Sequence, residues 1–111
     1  MENTIQLSLL PKDEDRILKE LSEGKMVVAR SKNDFLYVLD RNSEFLLFSH
    51  TPGSPKGAHK RFNKDEKSTA IVKKLAKLSD SLYVVEFDSS LHLAGVLTTA
   101  EEGLLSMFPG E

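Results

Sequence analysis

The sequence predicts an α+β fold: an antiparallel sheet of five to six strands packed with two main helices and a short C-terminal helix, in the order β-α-βββ-α-ββ-α. Three observations predict it. Short runs rich in β-branched, leucine and aromatic residues are separated by turn chemistry. Two longer segments carry apolar residues at helical spacing behind capping signals. The connections between the central strands are too short for parallel crossovers, which leaves antiparallel pairing. A length of 111 residues fits one domain, 1–111.

The first strand is read over 4–10, where Ile5, Leu7 and Leu9 alternate with Gln6 and Ser8. Pro11 ends it. A helix is predicted over 12–23: Asp13, Glu14 and Asp15 suit the positive end of a helix dipole, and Ile17, Leu18 and Leu21 form a narrow apolar stripe. Gly24 stands where helices often end in a left-handed residue. Strands follow at 26–30, 35–40 and 44–49, joined by Ser31-Lys32-Asn33-Asp34 and Arg41-Asn42-Ser43. Phe45-Leu46-Leu47-Phe48 is apolar on both faces, so either helices cover both sides of the sheet or a second chain covers one.

Residues 50–62, HTPGSPKGAHKRF, read as a loop with two prolines and two glycines. Asn63 and Glu66 form a capping-box-like pair for a second helix over 64–79, with Ile71, Leu75 and Leu78 on its inner stripe. A final hairpin is read at 82–88 and 91–97, and Thr98, Thr99, Glu101 and Glu102 cap a short last helix ending near Phe108. The expected core is Ile17, Leu21, Val27, Leu36, Val38, Leu47, Ile71, Leu75, Val84 and Val96.

The net charge of −2 hides an asymmetry. Residues 56–77 hold eight basic residues against two acidic ones, a local +6, and the rest of the chain carries −8. A lysine-rich solvated helix face is the plain reading; an anion-binding face is the functional one. The chain has no cysteine, which excludes disulfides, thiolate metal sites and cysteine nucleophiles. The N-terminal residues do not read as a signal peptide and no apolar run is long enough to span a bilayer, so the expected location is cytoplasmic and no membrane partner is expected.

The candidate ligand-binding residues are His50, Ser54, Lys56, Gly57, His59, Lys60 and Arg61. Glycines let backbone amides approach an anion, the cations and histidines donate to it, and the helix start at Asn63 would add free N–H groups. The glycine spacing is not a Walker A motif. Three further patterns carry less. The histidines His50, His59 and His92 lack paired metal-ligand spacing, no serine stands in a nucleophile elbow, and Glu86 with Asp88 shares a strand face as an edge charge would. No catalytic residue, metal or cofactor is assigned.

The reading preferred from these features is a small non-catalytic interaction protein, a regulator, inhibitor or adaptor, that occupies a macromolecular partner or self-associates as a homodimer. The alternative is a phosphate-bearing ligand, nucleotide or RNA, bound by loop 50–64. A third reading makes the histidines and cations a metal-independent ribonuclease site.

Overall fold

A computed structural model of the chain describes residues 5–32, 34–41, 43–51 and 57–87. The elements are β1 (Ile5–Leu10), α1 (Glu14–Ser22), β2 (Met26–Ser31), β3 (Asp34–Arg41), β4 (Glu44–His50), β5 (Gly57–Asn63), α2 (Glu66–Leu78) and β6 (Ser81–Phe87). Six strands form one sheet in the order β1-β6-β2-β3-β4-β5, and every neighbouring pair is antiparallel. The predicted α+β class with an antiparallel six-stranded sheet and two main helices is therefore the observed one. The expected strand 91–97, core residue Val96 and last helix lie outside the described residues. No described helix is long and apolar enough to cross a membrane.

The topology is a meander, β2 to β5, closed by a late insertion. β6 fills the gap between β1 and β2, pairing with β1 from Ile5↔Phe87 to Leu10↔Leu82 and with β2 from Met26↔Val85 to Arg30↔Ser81. β6 is thus paired on both sides. β1 and β2 run parallel on either side of β6, and β5 and β6 also run parallel, so α1 and α2 are crossover helices. Right-handed crossovers leading in opposite directions from oppositely directed strands put both helices on the same face. That is where they pack: Ile17 and Leu21 of α1 and Val72, Leu75 and Ala76 of α2 meet Leu10, Val27, Ala29, Val38, Phe45 and Leu82.

Local chemistry sets the element ends. Asp13 caps α1, its carboxylate accepting from Asp15 N at 2.9 Å. At the other end Gly24 takes φ +85, its N–H donates to Leu21 O, and Lys25 N–H donates to Glu20 O. This is the Schellman pattern, with the left-handed glycine the sequence implied. Lys32, at φ 56, turns β2 into β3, and its N–H donates to the Asp80 carboxylate at 2.7 Å. The second helix starts two residues later than its sequence suggests. Asp65, not Asn63, is the N-cap, and Asp65 with Ser68 closes the capping box that Asn63 and Glu66 were expected to form.

Of the expected core, Ile17, Leu21, Val27, Val38 and Leu75 are buried, and Leu36, Leu47 and Val84 pack against the same cluster half-buried. Ile71 does not belong to it. It is 40% exposed, while its neighbour Val72 is 1% exposed. The inner stripe of α2 is Ser68, Val72, Leu75, Ala76 and Ser79, rotated from the expected one, and Leu78 also faces outward.

The opposite sheet face has its own cluster of Met26, Val28, Phe35, Tyr37, Leu39, Leu46, Tyr83 and Val85. Those side chains are buried within a single chain. Both described helices pack on the other face, so burial within one chain does not test the expected homodimer.

Candidate functional site

The second part of the stretch read as a loop is a strand. Gly57 to Asn63 pairs with β4 from His50↔Gly57 to Glu44↔Asn63. Strand geometry then sends alternate side chains to opposite faces. Lys60 and Phe62 fall on the face that carries the helices, opposite Leu47 and Phe45, and His59 and Arg61 fall on the other, opposite Phe48 and Leu46. The expected cradle is thus divided between two faces. Ser54 and Lys56 lie outside the described residues.

β5 is the last strand of the sheet, and among the described residues nothing pairs with its outer side. Ala58, His59, Lys60 and Arg61 are all exposed. His59 stacks on Phe48 with ring centroids 5.6 Å apart. Arg61 is only loosely tied: its Nε lies 3.8 Å from a Glu44 carboxylate oxygen, and its side chain is 72% exposed. Lys64 is more firmly held, paired with Asp40 and lying over the Phe45 ring at 5.4 Å. Lys60 and Arg61 are therefore the cations of this strand most available to a partner, while Lys64 serves the fold.

A groove of about 300 Å³ runs between β5 and the start of α2. Phe62 and Ile71 give it an apolar floor, and Arg61, Asn63, Lys67, Asp65 and Ser68 complete its walls. A second shallow groove on the outer side of the helix is lined by Lys64, Asp65, Glu66, Thr69, Ala70 and Lys73. Ile71 and Lys67 were not among the expected site residues. The rotation of α2 that buries Val72, Leu75 and Ala76 against the sheet places them here.

The helix N-terminus is not an open anion seat. The Asp65 carboxylate accepts from Ser68 N at 2.8 Å, and this backbone hydrogen bond holds its carboxyl below the ordinary value. The Ser68 hydroxyl donates to Asn63 O at 2.7 Å, which binds the helix start to the end of β5. A phosphate approaching here would meet a carboxylate already bound to the amides it needs.

The histidines do not converge on that helix start. His50 and His59 project from the same sheet face at diagonal positions of β4 and β5, the face away from α2. His92 and Asp88 lie outside the described residues. Glu86 is engaged elsewhere, its carboxylate 3.2 Å from Lys25 Nζ. Among the described residues no three histidine, aspartate or glutamate side chains gather closely enough to hold a metal ion.

No protein-family model, curated protein or solved structure matches this chain, so the reading of the site rests on its own residues.

Proposed function

We propose that the protein is a small non-catalytic interaction protein that receives an acidic, extended segment of a partner protein along the outer side of β5. The observation that carries this reading is the combination at one sheet edge. A strand unpaired on its outer side among the described residues presents exposed His59, Lys60 and Arg61 beside a groove floored by Phe62 and Ile71. An added strand gains main-chain hydrogen bonds from such an edge, and side-chain pockets beside it supply selectivity. The local excess of positive charge steers an acidic segment toward the edge and disfavours a basic one.

The same cations suit a nucleotide or RNA phosphate, which is the second reading. Two features favour the peptide: the Asp65 carboxylate at the helix start, and cations divided between two faces instead of focused on one point. The test is fluorescence anisotropy with a labelled acidic peptide carrying one leucine, against an RNA oligomer of equal charge, over a range of salt. The peptide should bind, and Lys60→Ala with Arg61→Ala should weaken it roughly tenfold, about 1.4 kcal/mol. Removing the leucine should weaken it further. Tighter binding of the RNA, with affinity falling steeply with salt, would transfer the site to the phosphate reading.

A further inference from the structure

We infer, resting on the reading of β5 as a receiving edge, that the partner segment runs antiparallel to β5 and is selected by an apolar residue followed two positions later by a carboxylate. The apolar residue sits over Phe62 in the groove and the carboxylate against Lys60.

The end of β5 fixes its hydrogen-bond parity. The Lys64 N–H donates to Ser43 O at 2.9 Å, and these two residues continue the β4–β5 register one step beyond Glu44↔Asn63. Hydrogen-bonded and non-hydrogen-bonded positions alternate along an antiparallel pair. Counting back from Lys64, the residues Phe62, Lys60 and Ala58 turn their backbone N–H and C=O toward β4, while Asn63, Arg61, His59 and Gly57 turn theirs away from it. Two other contacts agree. Asn63 O accepts from the Ser68 hydroxyl at 2.7 Å, so this carbonyl is turned to the helix start. The His59 ring stacks on that of its register partner Phe48, with centroids 5.6 Å apart, as suits a non-hydrogen-bonded pair, where side chains stand closest.

An incoming strand therefore bonds to the main chain of His59 and Arg61. Antiparallel pairing is the more stable arrangement per residue, and every neighbouring pair of the described sheet uses it. For side chains the parity then inverts. Positions opposite Lys60 and Phe62 become the non-hydrogen-bonded pairs of the new ladder, with Cα atoms about 4.5 Å apart against about 5.5 Å in the others. Lys60 and Phe62 also share one sheet face, the one that carries α2. Selection by side chains is thus concentrated on two partner positions, two residues apart on one face.

The surroundings decide what each position takes. Beside Phe62 the groove has Ile71 in its floor and Asp65 in its wall. An apolar side chain opposite Phe62 covers both apolar residues, whereas a carboxylate there would face that of Asp65. Lys60 is exposed and its register partner Leu47 is apolar, so a carboxylate opposite Lys60 meets a cation with no acid across the strand. Arg61 lies on the other face, 3.8 Å from Glu44, and takes a smaller part. Because the strands run in opposite directions, the partner residue opposite Phe62 comes first and the one opposite Lys60 follows two positions later.

The test uses two short fluorescein-labelled peptides of one composition, Leu-Glu-Glu and Glu-Glu-Leu, each set in serine and threonine. Fluorescence anisotropy should show Leu-Glu-Glu binding roughly fivefold more tightly, the size expected of two cross-strand pairs. Lys60→Glu should shift the preference to a Leu-Glu-Lys peptide, and Arg61→Glu should not. Amide hydrogen exchange reads the main chain: without peptide the His59 and Arg61 amides should exchange faster than those of Lys60 and Phe62, and saturating Leu-Glu-Glu peptide should slow them. If the His59 and Arg61 amides are not the faster ones, the assigned positions are overturned. Equal binding of the two peptides, with both protecting His59 and Arg61, would overturn the inferred order and leave the receiving edge in place. Binding of neither peptide would overturn the order and the receiving edge together.

Discussion

Glu20 is the most constrained charge in the described chain. Its side chain is 5% exposed, and its two carboxylate oxygens accept from Arg16 Nε at 2.9 Å and Lys25 Nζ at 3.0 Å. The Lys25 hydrogen bond is the largest influence on it and holds its carboxyl below the ordinary range; Lys25, bonded to Glu20, Glu23 and Glu86, is raised in turn. A depressed carboxyl contributes stability that is present above its unfolded value, near 4.5, and is lost as pH falls through the lower folded value. Glu20→Gln should therefore destabilise the protein by about 2 kcal/mol near neutral pH, measured by urea unfolding. The gap between variant and parent should narrow as pH falls below the ordinary carboxylate range. A gap independent of pH would show that shape, not charge, sets the cost.

Gly24 stands beside this cluster and has a simpler role. A Cβ placed on it would meet nothing within 4 Å, so space does not require glycine there; φ +85 does. Gly24→Ala should cost about 1 kcal/mol through backbone strain alone, and Gly24→Asn should recover part of that because asparagine tolerates the left-handed region. Paired melting curves of the two variants would separate strain from packing.

At the scale of elements, α2 shows how a one-residue rotation changes what a helix does. Val72→Ala should destabilise by about 2 kcal/mol, since a buried aliphatic side chain leaves a cavity behind. Ile71→Ala should cost well under half of that in chemical denaturation, because Ile71 keeps 40% of its surface exposed. If it also lowers affinity for the leucine-bearing peptide, Ile71 belongs to the groove and not to the core. The sequence around this helix offers two overlapping registers. Asn63 with Glu66 and Asp65 with Ser68 are both capping patterns, and Ile71 and Val72 compete for the inner face. Only the fit of Val72, Leu75 and Ala76 against the sheet decides between them, and that is a tertiary contact.

β5 was illegible for a related reason. Its residues sit at an edge, where one side of the strand lacks neighbours, so charged side chains are tolerated and apolar alternation is weak. The glycines and prolines upstream then made Gly57 to Asn63 read as loop. By contrast β2, β3, β4 and β6 were legible because they sit inside the sheet and are apolar on both faces, and α1 because its acidic start and Gly24 stop agree with its stripe. Within the candidate site, the cations Lys60 and Arg61 were readable from composition. The groove beside them was not, because Phe62 and Ile71 meet only once β5 and α2 are both in place.

At the scale of the whole molecule, charge and topology combine at the β5 edge. Two copies joining edge to edge through antiparallel β5 strands would bring Lys60 and Arg61 of each copy toward those of the other, and like charges across a strand pair are destabilising. On the proposed reading the edge is thus protected against its own kind while remaining open to an acidic strand. Replacing Lys60 and Arg61 with valine should remove that protection. Sedimentation velocity should then show concentration-dependent self-association in the variant and a monomer in the parent; a monomeric variant would mean that this edge is guarded by something other than charge.

The placement of β6 has a consequence for synthesis. The ribosome delivers the strands in sequence order, yet the strand that joins β1 to the rest of the sheet is the last of the six to emerge. Until residues 81–87 are outside the exit tunnel, β1 has no described neighbour and the inner edge of β2 is bare, with Met26 to Arg30 offering unpaired backbone to any passing chain. The meander from β2 to β5 can pair during translation, but the sheet can be completed only when β6 arrives between β1 and β2. Nascent chains halted before β6 should therefore be the species that chaperones capture.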